Sequence, residues 1–219
     1  MLKVLVSLIL NYLLAITNNL CRSGLIIFIM KLKWIICIIL SLAGGCKNIP
    51  NNPEVASHFI DAFYSFDSVK LSTILRNAGE SQPGILYYQK WAECGNYKII
   101  AKHEFIEKND SIMLCPITVK DDLIGALKID FNVTDTFHLT IHKGEIRNVQ
   151  TSSNDPEIYH EAKEWVKMNH PELVEEQCKG IWKRGTPCEC VKGMISGYEL
   201  FISAKKSVPV FNPPTEINQ

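Results

Sequence analysis

The chain has no glycine-rich phosphate loop, no cluster of lysine and arginine, and no internal repeat. Without the first there is no ready cradle for a nucleotide, and no cofactor is implied. Acidic residues are missing from the first 46 positions, which hold four of the 23 basic residues (Lys3, Arg22, Lys31 and Lys33), so 19 basic face 23 acidic side chains beyond Cys46. That remainder is mildly acidic, and with no basic cluster or stacking motif it gains little from phosphate electrostatics. Nucleic acid is excluded as a partner. Of the chain's 219 residues, those beyond Cys46 are enough for one domain with a real core.

What is present begins at Met30. Met30-Lys-Leu-Lys-Trp-Ile-Ile-Cys-Ile-Ile-Leu-Ser-Leu-Ala-Gly-Gly-Cys46 sets a short basic start before an apolar run, Trp34 to Leu40, and then Ala43, Gly44 and Gly45. The pattern resembles the lipobox of bacterial lipoproteins, which implies cleavage before Cys46 and a lipid on its thiol. Ala43 stands where a lipobox usually has Leu, with Leu42 one step earlier. Met30 makes a better initiator than Met1, because lipoprotein signals do not normally carry a second apolar stretch such as Val4 to Ile16 in front. The competing reading is an uncleaved membrane helix over Leu25 to Gly45, which would bury Lys31 and Lys33 at a cost of roughly several kcal/mol. Either way the folded part is tethered outside the cytoplasm, on a cell membrane or outer membrane.

The expected organisation is a signal segment over residues 1–46, a linker over 47–53, a domain over 54–204 and a flexible tail over 205–219. Val55, Phe59, Ala62, Phe63 and Phe66 recur at spacings of three and four and predict an amphipathic helix. Val69 to Arg76 reads as a second helix, and Ile85 to Cys94 as a third stopped by Gly95. Tyr97 to Glu107 and Ser111 to Val119 alternate around Asn109-Asp110 as a long hairpin. Phe137, Leu139 and Ile141 alternate with polar residues in a further strand, and Lys143-Gly144 turns it into Glu145 to Thr151. Asp155-Pro156 caps a helix reaching Met168, and a last helix covers about Glu189 to Ala204. Helices followed by an antiparallel sheet make an α+β plan.

The segment Phe59-Ile-Asp-Ala-Phe-Tyr-Ser-Phe-Asp-Ser-Val-Lys-Leu71, the long hairpin, and Asp135-Thr136-Phe137 through Asn148-Val149 resemble the nuclear transport factor 2-like, or SnoaL-like, superfamily. The stretch from Tyr159-His160-Glu161 through Trp165, His170-Pro171-Glu172-Leu173, Cys178, Pro187 and Cys190 resembles a subset with added C-terminal helices. The resemblance covers about residues 54 to 203. It implies helices packed in a strongly curved, cone-like (cystatin-like) antiparallel sheet that encloses a pocket. Enzymes of the superfamily, such as ketosteroid isomerases and polyketide cyclases, use pocket Asp or His as acid and base, assisted by Tyr donors. Residues of those types in regions that could face the cone are Tyr64, Asp67, Tyr88, His103, Asp135 and His138; none matches a catalytic motif.

Eight cysteines divide into Cys21 and Cys37 in the apolar segment, Cys46, and five others. In an oxidising compartment the five tend to pair, leaving one over. Cys188-x-Cys190 with Cys178 lacks a histidine spaced for a closed zinc site, so a disulfide is the better reading. The resemblance pairs Cys178 with Cys190 and leaves Cys188 free, with Cys178–Cys188 as the rival; Cys94 and Cys115 are the candidates for a second bridge. His138-x-x-x-His142 would suit a metal on a helix. On a strand the two side chains share a face about 13 Å apart, at roughly 3.3 Å per residue, too far for one ion. No metal is expected, and Trp91, Trp165 and Trp182 read as packing.

No local Cys-His-acid signature points to a nucleophile. The expectation is therefore a non-enzymatic tethered domain that binds a small apolar ligand or an envelope protein through its pocket or sheet face, with a homodimer through the sheet as a possible assembly. The alternatives are a pocket enzyme of the isomerase, cyclase or dehydratase type and a purely structural accessory domain.

Overall fold

The computed structural model describes residues 50–180 and 183–207. The lipobox, Cys46, the start of the linker, Trp182 and the tail beyond Ser207 lie outside the described residues. Among those described, no helix is long and apolar enough to cross a membrane. Among the described residues the architecture is α+β, with six α-helices and a five-stranded antiparallel sheet.

Helix α1 (Asn52–Phe63) starts where Asn51 accepts the Glu54 N–H at its side chain, and Pro53 sits in the first turn. Its apolar stripe, Val55, Phe59, Ile60 and Phe63, is buried over the sheet. Helix α2 (Ser68–Ile74) is capped by Asp67, whose carboxylate accepts the N–H groups of Val69 and Lys70. Helix α3 (Ser81–Cys94) is tied to α1 by buried Gln89, which donates to the carbonyls of Ala62 and Phe63 at 3.1 and 3.0 Å. Those carbonyls lie at the end of α1, past its regular ladder, where Ser65 Oγ and the Phe66 N–H also donate to them. Helix α3 ends in a left-handed turn carried by Asn96 (φ 55°) rather than by Gly95: the N–H groups of Asn96 and Tyr97 donate to the carbonyls of Glu93 and Ala92, and a side chain on Gly95 would meet Tyr97 and Leu123.

The long first arm of the hairpin is broken in two, β1 (Lys98–Lys102) and β2 (Ile106–Asn109), both paired with β3 (Ile112–Lys120). The cause is Pro116 in the middle of β3. Its carbonyl accepts from His103 N–H on the β1–β2 side. The N–H it lacks would have pointed to that same side, so pairing lapses over residues 103–105. Strand β4 (Val133–His142) pairs with β3 and with β5 (Glu145–Ser153), and Lys143-Gly144 closes their turn with φ of 52° and 73°. Between β3 and β4 lies a helix that the hydrophobic pattern did not announce, α4 (Asp122–Ala126), capped by Asp121.

Helix α5 (Glu157–Asn169) follows, then a 3₁₀ turn (Pro171–Leu173) and α6 (Pro187–Ser207), which extends three residues past the expected domain end. Helix α6 packs on α3, α4 and α5. It can approach α5 closely because residue 197 is glycine; a Cβ there would come within 2.5 Å of the Val166 side chain. Two disulfides secure this region, Cys178–Cys190 and Cys94–Cys188. The expected Cys94–Cys115 bridge does not form, and Cys188 is not the cysteine left over. Cys115 is the free one, fully buried on the inner face of β3, while Cys94 at the end of α3 meets the first turn of α6. Burial pushes the Cys115 thiol up to about 12, so it stays protonated and inert.

Candidate functional site

The inner face of β4 is apolar except at one position. Val133, Phe137, Leu139 and Ile141 are buried as alternation requires, and so is Asp135, at 4% exposure. The interior beside it is filled with aromatic rings: Phe137 lies 5.3 Å from Phe59 and 4.8 Å from Phe63, and Tyr64 and Tyr88 pack on the same cluster. Asp135 sits at the edge of this packing, beneath a cleft of about 320 Å³.

Each wall of the cleft comes from a different element. From α3 come Tyr87, Tyr88 and Trp91; Tyr97 comes from the connection into β1, Thr151 to Ser153 from the end of β5, Asp155 from the following loop, and Tyr159 from the first turn of α5. The Tyr88 hydroxyl donates to Asp135 Oδ2 at 2.7 Å. No donor among the described residues is bonded to the other oxygen, Oδ1, and that atom is not among the sealed, unpartnered ones. Asp135 lines the cleft.

Burial raises the Asp135 carboxyl to about 6, against the lowering effect of the Tyr88 hydrogen bond, and the charges of Asp155 and Asp121 add to the rise. Asp121, buried at the cap of α4, is also raised to about 6, mainly by burial and despite the N–H groups of Ile124 and Leu123. Burial likewise lifts Tyr88, Tyr97 and Tyr159, so their phenols stay protonated. Among the described residues, no lysine, arginine or histidine lines the cleft. The arrangement can accept hydrogen bonds, present ring faces, and hold or release one proton at Asp135.

Of the residues expected for chemistry, Tyr88 and Asp135 are brought together. Tyr64 stands nearby, and its hydroxyl is sealed from solvent with no hydrogen-bond partner. Asp67 is exposed and serves as a helix cap. His103, exposed in the gap between β1 and β2, bonds Thr118 Oγ1 at 2.8 Å, and His138, half-buried on the face of β4 opposite Asp135, bonds Ser152 Oγ at 2.9 Å. His142 is exposed at the strand end, and no group of three metal-ligating side chains occurs among the described residues.

Asp121, Tyr97, Asp155 and Tyr159 were not singled out by the sequence. Asp155 reads as a helix cap, yet Pro156 occupies the cap position, and the Asp155 carboxylate accepts from Ser153 Oγ at 2.6 Å instead. Trp91, read as packing, forms a cleft wall. A larger cleft of about 460 Å³ lies between α5 and α6, with an apolar floor of Val166, Val174 and Met194. Two of its rim lysines, Lys167 and Lys179, are already paired with Glu164 and Glu176. No family model, curated protein or solved structure matches this chain.

Proposed function

We propose that this chain is a lipid-anchored extracytoplasmic protein whose nuclear transport factor 2-like domain binds a small molecule in the cleft over Asp135. One observation carries the binding reading: a carboxylate at 4% exposure, one oxygen bonded by Tyr88 and the other without a donor among the described residues, lining a cleft of about 320 Å³ walled by aromatic rings. Such a group is costly to bury unless something pairs with it. The volume falls at the lower end of the range of roughly 300 to 1,000 Å³ typical of small-molecule sites. The Phe59, Phe63 and Phe137 cluster fills the interior of the sheet, which argues against a deep apolar cavity and for a small, partly polar ligand. Helices seated on one face of an antiparallel sheet support the superfamily reading, and two disulfides support an oxidising compartment.

A second reading, a proton-transfer enzyme, is favoured by the Asp135 carboxyl raised to about 6 beside the Tyr88 hydroxyl at 2.7 Å. In it Asp135 moves the proton and Tyr88 steadies the resulting charge. A fragment screen by ligand-observed NMR on the purified full chain tests binding. Hits should lose affinity in Trp91→Ala and Asp135→Asn; hits indifferent to both changes would place binding elsewhere. Turnover of a hit, abolished by Asp135→Asn, would favour the enzyme. The address is tested separately: Cys46→Ala should release the protein from membranes, and persistent association would favour the uncleaved helix.

A further inference from the structure

We propose that the cleft over Asp135 selects a small organic cation, a protonated or quaternary amine held between carboxylate and ring faces. This rests on the small-molecule reading above and narrows it to one ligand class.

The charge of the lining is one-sided. Asp135 and Asp155 line the cleft, and Asp121 stands close enough for its charge to act on Asp135. Among the described residues no cationic side chain lines the cleft with them, so an anion entering would meet negative charge. The aromatic walls act in the same direction. Tyr88, Trp91, Tyr97 and Tyr159 present π systems, whose negative faces attract ammonium groups within about 6 Å of the ring centre. A neutral apolar ligand would use the rings but leave Asp135 Oδ1 unpaired. A cation answers both.

The ligand's charge also leaves a signature in proton uptake. The groups facing Asp135 are Tyr64 from α1, Tyr88 from α3, Tyr97 before β1, Asp121 at the cap of α4, Asp155 after β5 and Tyr159 from α5. The tyrosines stay neutral, which leaves Asp135 and Asp121 to respond. With Asp135 and Asp121 raised to about 6 in the empty protein, a bound cation favours their ionised forms. Below that pH, binding must expel a proton, and affinity falls as pH falls, by up to about tenfold per pH unit for each proton released.

The experiment is calorimetric titration of the full chain in detergent with a graded panel of small amines, from ethanolamine to benzyltrimethylammonium, each matched by its uncharged isostere. At least one amine should bind about tenfold or more tightly than its neutral match. Its affinity should drop between pH 7 and pH 5, with proton release visible as a buffer-dependent heat. Asp135→Asn should weaken that amine about tenfold and reduce the released protons; Asp155→Asn, at a less buried position, should weaken it in the same direction if Asp135→Asn fails to fold. Equal or tighter binding of the neutral compounds would overturn the cation assignment and leave the small-molecule pocket standing. Failure of both sets to bind would overturn both.

Discussion

The two faces of strand β4 both carry polar candidates for chemistry, two histidines outward and one carboxylate inward, and treat them in opposite ways. On the outward face, His138 bonds to Ser152, and His142 stands exposed at the strand end. On the inward face, a single carboxylate interrupts Val133, Phe137, Leu139 and Ile141, and only one of its oxygens is satisfied. The histidines conform to the alternation of a half-buried strand; Asp135 violates it. A polar residue in its expected place needs no functional explanation, whereas one placed against the pattern does.

Truncating the packing that supports Asp135 should have the largest effect. Phe137→Ala leaves a void among Phe59, Phe63 and Tyr88 and should cost about 3 to 5 kcal/mol in urea unfolding. A loss under 1 kcal/mol would mean that the inner face is less tightly filled than described. Next comes the wall that carries Tyr88 and Trp91. Replacing Cys94 and Cys188 with serine frees α3 from α6 and should cost roughly 2 to 4 kcal/mol. Peptide mapping of the non-reduced protein should show Cys94–Cys188 and Cys178–Cys190 linked and Cys115 free.

The third effect concerns pH. Asp135 is raised from an ordinary 3.8 to about 6, so between those values the folded protein binds the proton more tightly than the unfolded chain. Stability therefore falls as pH rises through that window and is recovered on acidification. Asp135→Asn should remove about 1 to 3 kcal/mol of that dependence, leaving the part due to Asp121. A variant with an unchanged pH profile would show that Asp135 is not the group responsible. The smallest effect belongs to the outward face: His138→Gln should change stability by no more than about 0.5 kcal/mol. A larger loss would make the two faces less different than their burial implies.

Much of this arrangement was legible in the residues themselves. Apolar spacing located α1, α2, α3 and α5, and alternation with Lys143-Gly144 located β4 and β5, because those elements bury one continuous stripe or face. Helix α4 escaped because five residues are too few to show a period, although Asp121-Asp122 before Leu123-Ile124 is a capping signal. The split between β1 and β2 was written in Pro116, but its consequence depends on which neighbour its missing N–H would have faced. The Cys94–Cys188 bridge joins residues 94 apart in sequence, and spacing alone does not choose between such partners. Asp135 and Tyr88 could be named as residue types. Their meeting with Trp91, Tyr97, Asp155 and Tyr159 depends on packing between elements that no local pattern encodes.

The central claim is that Asp135 is a buried carboxyl open on one side to a ligand cleft. Carbon-13 NMR titration of its carboxyl, assigned by loss of the signal in Asp135→Asn, tests it most directly. A midpoint near 6 is expected; a midpoint at the ordinary 3.8 or below would contradict it.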